Sequence, residues 1–524
     1  MFVDKLGAVH STSDGATILS KSESSHPIAR IISQLGKAVD QEVGDGTTSA
    51  VLIMNALLEG AVRLADSGLH PTTIVKGYQL ALSRALGELE EIAEPVPADS
   101  EEWLAKVAAT CIQTKLVGEG AKNLPRLLAS AVIQAAEKQG DGYKLDTSRI
   151  TVRRMPGGGV ADTRLIRGVV LPKDLIDPSM PKRLENAKIA VGDVSLVIEK
   201  TVADAKLTMT DPKMVGKIGE QRRADLKKIG DRIIATGADV VINREGIDDL
   251  VANQFANAGM MAVRHAKIGD VANLAKATGA TVVDAKHDIT SDDLGFAALV
   301  EERKVEGANP SDKWLFVEGC KNPKALTILL RGGNWYVVDE AERSVNDALM
   351  ALKNLVERPA ILAGGGATEA EISARVMKWS ETLPGREQIA VQAFASALEE
   401  IPQTLAINAG MHPIDSMVEI RSRHARGEKW FGIDHTERKV KDMYSNQVFE
   451  PLGVKEEVLK AATETACVIL RIDAVFDKAP PRAHRMRSEM PKEEKKSRSR
   501  QKEELDERAE KFDPTKPVDR RYPL

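Results

Sequence analysis

An α/β multidomain protein is what this sequence predicts, on three observations. The chain has 524 residues, and at about 150 residues per domain that length divides into roughly three. Both flanks carry helical patterns. Ala50 to Leu64 is apolar almost all round, as in a helix buried in a bundle, and Asp339 to Val356 carries a stripe of Val345, Ala348, Leu349, Leu352 and Val356. Between about 169 and 331 short apolar runs alternate with helical patterns instead, the texture of an α/β layer domain.

Composition narrows the class of function. A hydrophobic content of 43% supplies real cores, and a net charge of −4 gives no bias toward nucleic acid or a membrane surface. Cys111, Cys320 and Cys467 are too few and too scattered for a disulfide framework or a zinc site, which points to a reducing compartment and a cytoplasmic protein. No apolar run approaches the ~20 residues of a membrane span. The first residues, Met1-Phe2-Val3-Asp4-Lys5, have no signal-peptide pattern.

Taken from the N-terminus, Phe2-Val3 and Val9-His10-Ser11 read as a short β-hairpin before Asp14. Val43-Gly44-Asp45-Gly46-Thr47-Thr48-Ser49 then runs straight into the apolar Ala50-Val51-Leu52-Ile53-Met54. Two glycines around one aspartate make a tight turn that an anion can approach closely, because no Cβ blocks the backbone. Thr47, Thr48 and Ser49 open a helix whose first N–H groups and dipole favour a phosphate. Asp45 would repel a bare phosphate, so it fits if a divalent cation lies between them. The same residues also fit a plain turn with Asp45 as an N-cap. Alone, the loop does not choose.

The first long helix stops near Gly68, and His70-Pro71-Thr72 starts the next with proline in its first turn. Pro95-Val96-Pro97 breaks the pattern, and Ser100 with Glu101 and Glu102 restarts a helix with acidic residues in its first turn. Ile150-Thr151-Val152 reads as a strand, and Gly157-Gly158-Gly159 as an ordinary hairpin loop. Candidate strands follow at Lys188 to Val191, Asp239 to Ile242, Met261 to Val263 and Ala280 to Val283, with helical patterns such as Asp270 to Lys276 between them. Thr210-Asp211-Pro212 leads into a charged helix through Gln221-Arg222-Arg223 to Ala235.

Within the helix after Asp339, Asp347 lies off the apolar stripe and four residues beyond Arg343. An exposed ion pair between them would contribute about 0.3 kcal/mol. Thr368 and Glu371, after Gly364-Gly365-Gly366, are spaced as a capping box. Val468 to Ile472 reads as a strand. Past Ala479-Pro480-Pro481 the chain carries mixed charge and almost no apolar residues, so 479–524 is expected to be disordered or an isolated helix. Its interleaved acidic residues make a solvated tail the better reading than a nucleic-acid contact.

Thr12-Ser13-Asp14-Gly15-Ala16-Thr17-Ile18-Leu19 and the Gly44 to Ser49 loop together resemble the nucleotide site of the group II chaperonins, the thermosome (TCP-1) family of archaea and its eukaryotic cytosolic relatives. The likeness continues through Phe316-Val317-Glu318-Gly319-Cys320-Lys321-Asn322-Pro323-Lys324 and Gly364-Gly365-Gly366-Ala367. It includes Glu400-Ile401-Pro402 with Asn408-Ala409-Gly410, and Ile469-Leu470-Arg471-Ile472-Asp473. These matches run in collinear order from Met1 to about Phe476, which is far more specific than any one motif.

That resemblance implies a chaperonin fold. A mainly helical equatorial ATPase domain would comprise 1–97 and 357–478, and a small intermediate domain 98–168 and 332–356, with Gly168 and Arg331-Gly332-Gly333 near its hinges. An α/β apical domain would span 169–331, with a helical lid protrusion at about 210–235 and the charged tail at 479–524. The tip, Lys217-Ile218-Gly219-Glu220, is less apolar than in relatives, which implies a weaker client-binding tip. ATP and Mg2+ are the implied cofactors. Asp45 would ligand the metal, and Gly15, Gly44, Gly46, Thr47, Thr48 and Ser49 would hold the phosphates. Asp347 and Asp14 would act on the attacking water and the metal shell, and Lys115 would sense the γ-phosphate, although Gln113-Thr114 before it depart from the family pattern. Gly365 and Gly366 would pack against the sugar and base, and Glu450 would hydrogen-bond the ribose.

The implied function is an ATP-dependent chaperone subunit of a double ring that encloses and folds non-native client proteins, with sister subunits as partners and lid closure driven by hydrolysis. An ATPase-impaired structural or client-binding subunit of a hetero-oligomeric ring is the alternative. Joint retention of Asp14, Asp45 and Asp347 favours the first. Relatives carry a further segment upstream of the residues matching Met1-Phe2-Val3-Asp4, with a Gly-Pro nucleotide loop and a terminal strand used between subunits. Either the start lies upstream, or the segment is lost and ATP affinity and assembly are weaker.

Overall fold

The computed structural model describes residues 2–3, 9–10, 12, 14–21, 26–113, 122–140, 142–197, 212–284, 289–305, 313–320 and 325–474. A compact unit spans Met1–Ile472, and three large apolar cores organise it. A second unit, Asp473–Leu524, falls almost wholly outside the described residues, as does the expectation for the charged tail. At the N-terminus Phe2–Val3 pairs antiparallel with Val9–His10, the expected hairpin.

The first core is helical. Helix α1 (Gly15–Lys21) precedes α2 (Pro27–Val43), α3 (Thr47–Asp66) and α4 (Pro71–Ile92). Proline at the first position suits both α2 and α4, since its missing N–H would be unpaired there anyway. Tyr78 of α4 is fully buried, donates its hydroxyl to Leu57 O at 2.7 Å and meets Phe394 edge-on with ring centroids 6.1 Å apart. The expectation about apolar runs needs correction, because α3 is long and apolar enough to cross a membrane by length and composition. Its Ala50, Ile53, Met54, Leu57 and Ala61 are instead spent on the protein core.

The last third of the sequence builds the same core's far wall. Phe394, Ile372, Leu452 and Val458 pack with the residues of α2 to α4.

A second core lies on a seven-stranded mixed sheet. Arg183–Asp193 is its longest parallel member, flanked by Val240–Asn243 and Val282–Asp284, with Met261–Val263 beyond Val240–Asn243. Gly295–Lys304, Lys313–Cys320 and Gly168–Leu171 continue it antiparallel. The alternation of strand and helix read from the sequence is this layer. The backbone is helical over Pro212–Ala235, the expected insert, although Thr210 and Asp211 lie outside the described residues, as do the side chains at 217–220.

The third core joins Glu101–Gln113, Leu124–Ala135 and Trp335–Glu357 to a three-stranded sheet. Leu326–Gly332 is its central strand, parallel to Ile150–Pro156 and antiparallel to Arg164–Ile166. Gly157 to Gly159 therefore closes no hairpin, since the strands it links are separated by a third. It leads into a 3-10 turn, where Asp162 accepts from the Gly159 N–H at 2.8 Å.

The chain's last described helix overturns the strand expected at Val468 to Ile472. Leu452–Leu470 is one α-helix, and the turn at Arg471 ends it. Buried Val454, Val458, Ala462 and Ala466 recur every four residues and carry the helical period through the β-branched run at its end.

Candidate functional site

The candidate phosphate loop is held by two positive-φ glycines. Gly44 caps α2 at φ 71°, with its N–H donating to Val39 O, and Gly46 opens α3 at φ 81°. Both also lie where no side chain fits. A Cβ on Gly44 would collide with Met350 and come within 3.3 Å of Asp347 Cα. One on Gly46 would approach Val458 Cγ2 to 2.5 Å. The loop is thus pressed between the helices Trp335–Glu357 and Leu452–Leu470. Asp45 between the glycines is half-buried, and its Oδ1 accepts from the Gly46 N–H at 2.9 Å. Thr47 is buried, Ser49 half-buried and Thr48 exposed.

Asp14 brings a second carboxylate to the same place. It caps α1, accepting from Ala16 N and Thr17 N at 3.0 Å and from the Thr17 hydroxyl at 2.5 Å. A Cβ on Gly15 would lie 2.7 Å from Thr48 Oγ1, so the starts of α1 and α3 adjoin.

Asp347 is the third carboxylate. Only 7% of it is exposed, and its backbone abuts Gly44. Its burial does not fit an exposed surface pair, and Arg343 Nη2 meets Glu340 Oε2 at 2.6 Å. An arginine three residues after a glutamate on one helix finds it without leaving the surface, whereas Asp347 faces inward.

The second glycine junction, Gly364 to Gly366, follows the strand Ala360–Ala363. Gly366 precedes the helix Ala367–Ser380 and packs on Pro402. The Gly365 carbonyl accepts from Ile433 N at 2.8 Å. Glu450 lies on Phe449–Pro451, opposite Leu362 in the neighbouring strand, and a Cβ on Gly364 would come 3.0 Å from its Oε1. No capping box forms here. Thr368 donates to Ala363 O at 2.7 Å, and Glu371 meets Arg375 at 2.8 Å and His424 at 3.0 Å. The spacing signal is real, but tertiary partners take both side chains.

Two residues that sequence reasoning missed stand behind Glu450. Lys455 Nζ is 2.6 Å from Glu450 Oε2 and pairs with Glu369 Oε1. The signal was present: Lys455 sits among Leu452, Val454, Val458 and Leu459, on the buried side of its helix. Burial pushes the Glu450 carboxyl above its ordinary range. Lys455 opposes that shift, while the charges of Glu369 and then Asp45 reinforce it. Asp45 and Glu450 thus share one electrostatic neighbourhood, and the helix Leu452–Leu470 joins them mechanically through Val458 on Gly46 and Lys455 on Glu450.

Asp14 and Gly15 thus adjoin Thr48, and Gly44 adjoins Asp347, while Glu450 lies within electrostatic reach of Asp45; Gly365 and Gly366 pack on Met443, Ile433 and Pro402. Lys115 lies outside the described residues. Among the described residues no three His, Cys, Asp or Glu groups converge as a ready-made metal site. A cation here would need phosphate oxygens to complete its shell, as Asp45 beside a helix start permits.

A glycine-bounded loop at the start of α3 thus lies against the turn that carries a buried aspartate on the main helix of the third core. The sequence model of the TCP-1/cpn60 chaperonin family matches residues 1–480, and the chain belongs to that family as an ATP-dependent chaperonin subunit. It is 46% identical over 476 residues to thermosome subunit alpha of Archaeoglobus fulgidus, covering 91% of this chain and 87% of that one. To the thermosome subunit of Pyrococcus horikoshii it is 45% identical over 476 residues, covering 91% and 86%. Its fold is similar to the open-state monomer of a group II chaperonin from Methanococcoides burtonii, with a TM-score of 0.61 and 38% identity. That match covers 82% of this chain and all of the other.

Proposed function

We propose that the cleft binds ATP with Mg2+ and that its hydrolysis drives lid closure over non-native clients in a cytoplasmic double ring of sister subunits. The helical core carrying α2 to α4 is then the equatorial domain, the core around Trp335–Glu357 the intermediate domain, and the seven-stranded sheet the apical domain. The observation that carries the reading is the close approach of Gly44 to the turn bearing Asp347, since it puts a loop of one domain against a carboxylate of another.

Each residue has a task that its geometry permits. The N–H groups at the start of α3 receive phosphate oxygens, and Gly44 and Gly46 let them approach. Asp45 would hold magnesium beside those oxygens, where the ion would supply charge neutralisation. Asp347 orients the attacking water, and Asp14, beside Thr48, steadies the shell around the phosphates. Glu450 accepts from the sugar hydroxyls. Because Asp347 belongs to the intermediate domain, movement of that domain both completes the site and moves the apical domain, which couples chemistry to closure.

Replacing Asp347 with alanine leaves the loop, its glycines and Asp45 in place. The expected result is a turnover loss of ~10²–10⁴-fold with nucleotide affinity close to the parent's. Asp45→Ala should weaken Mg-ATP binding itself. Isothermal titration and a phosphate-release assay on both variants make the comparison. Parent-rate turnover by Asp347→Ala would remove Asp347 from the mechanism.

A further inference from the structure

Lysine is almost never fully buried without a matched charge. Lys455 is 6% exposed, and it is matched twice, by Glu450 and by Glu369. The two ends of this bridge differ. The Glu369 side chain is 5% exposed, and its Oε2 has no hydrogen-bond partner among the described residues. The Glu450 side chain keeps 30% of its surface open, beside the space that Gly364 leaves clear. One carboxylate therefore anchors the ammonium in the interior, while the other is presented at the cleft.

Such a bridge is a poor stabilising device, because taking three charges out of water costs about as much as their attraction returns. Its geometry has a better use. Glu369 lies on the helix that follows the second glycine junction, and Lys455 on the helix that packs against Gly46. Tied to both, Glu450 is fixed relative to both loops of the cleft. We infer that Lys455 is a positioning residue for nucleotide recognition: it clamps Glu450 in the orientation that accepts hydrogen bonds from the ribose hydroxyls. This rests on the reading of Glu450 as the sugar-binding carboxylate.

The electrostatics agree with the geometry. Glu450 faces Lys455 from one helix, Glu369 from another and Asp45 from the phosphate loop, and of these only Lys455 favours its ionised form. Burial opposes the Lys455 charge, but Glu369 and Glu450 more than restore it, so the ammonium persists. Without Lys455, the Glu450 carboxyl would hold its proton to higher pH. As a neutral acid it is the weaker acceptor.

The test measures affinity for ATP, 2′-deoxy-ATP and 3′-deoxy-ATP in the full chain, at mildly acidic and mildly alkaline pH. A hydrogen bond to a charged group corresponds to roughly 10-fold or more in affinity, so the parent should prefer ATP by about that factor. In Lys455→Met the preference should collapse toward one at acidic pH and partly return at alkaline pH. Lys455→Arg should keep most of it. Glu450→Gln should lose it at every pH. If Glu450→Gln loses the preference while Lys455→Met keeps it, Lys455 merely holds the fold and the inference fails. If Glu450→Gln keeps the preference, the sugar-binding reading of Glu450 fails, and the inference with it. Should Lys455→Met fold poorly, the double variant Lys455→Met/Glu369→Leu removes the stranded interior carboxylate. That protein should fold yet still lack the preference, and a retained preference would again overturn the inference.

Discussion

Gly44 shows how much a single residue contributes to this site. Its φ of 71° falls in the left-handed region, and its Cα faces Met350 and the backbone of Asp347 with no room for a methyl group. Gly44→Ala should therefore combine backbone strain of about 1–3 kcal/mol with overpacking of similar size. The expected outcome is a lower melting temperature together with slower turnover, because relief of the clash pushes Asp347 away from the loop. Thermal denaturation and an ATPase assay on the same sample check it. Unchanged turnover in a destabilised protein would show that the contact is structural only. At this scale the sequence was partly legible. Glycine on either side of Asp45 announces a loop that needs open backbone, whereas the capping role of Asp14 appears only in the fold. For Asp347 the spacing alone offers a surface pair, because an aspartate four residues from an arginine fits one; only the resemblance of its surroundings points to an inward role. Lys455 was harder still: one charged residue in an apolar helix face looks like an interruption until its two carboxylates arrive from distant segments.

Elements were read well where the pattern is long, and poorly where local and tertiary signals compete. Ile189 to Val191 within Arg183–Asp193, Val240 to Ile242 and Met261–Val263 are apolar and buried because neighbouring strands and helices cover them. The strand expected at the end of Leu452–Leu470 failed because four-residue spacing of buried positions outweighed the β-branched composition of its last turn. The triple glycine failed as a hairpin because a strand from far along the chain, Leu326–Gly332, inserts between its neighbours. The parallel neighbour of that strand, Ile150–Pro156, ties the third core to the second. Arg153 on Ile150–Pro156 donates to Val170 O at 3.1 Å and pairs with Asp270 of the helix Ile268–Thr278, while Asn273 of that helix bonds Thr151 at 3.1 Å. Asp270 is buried, so removing its cation leaves an unmatched charge. Arg153→Ala should cost about 2 kcal/mol and loosen this junction. Hydrogen exchange in 268–278 should rise well above the parent level, with little change in 47–66. Equal protection in both segments would mean that the Asn273 contact and the apolar packing carry the junction unaided.

For the whole molecule, the change of texture along the sequence corresponds to separate apolar cores, helical in the segments around α2 to α4 and strand-rich in the middle of the chain. The return of the chain was less legible, since the helical core needs segments from both ends of the sequence. Assembly belongs to this scale. The hairpin of Phe2–Val3 with Val9–His10 has two residues in each strand, and a two-stranded ribbon of that size is marginal in water by itself. Its outer edges carry backbone groups that call for a partner strand. Val468 to Ile472, expected as a strand, forms the end of the helix Leu452–Leu470 and the turn after it, so it offers no edge for such pairing. The hairpin is then the described N-terminal element available for strand addition to a sister subunit. Deleting residues 1–10 should leave the helical core folded, because none of its buried members lies there. Assembly should weaken. Sedimentation velocity at micromolar concentration should show the parent chain as a large multi-subunit particle and the truncated one shifted toward the 56.8 kDa single-chain mass. A truncated chain that assembles as fully as the parent would rule out the hairpin as a seal between subunits and move that role to helix-to-helix packing.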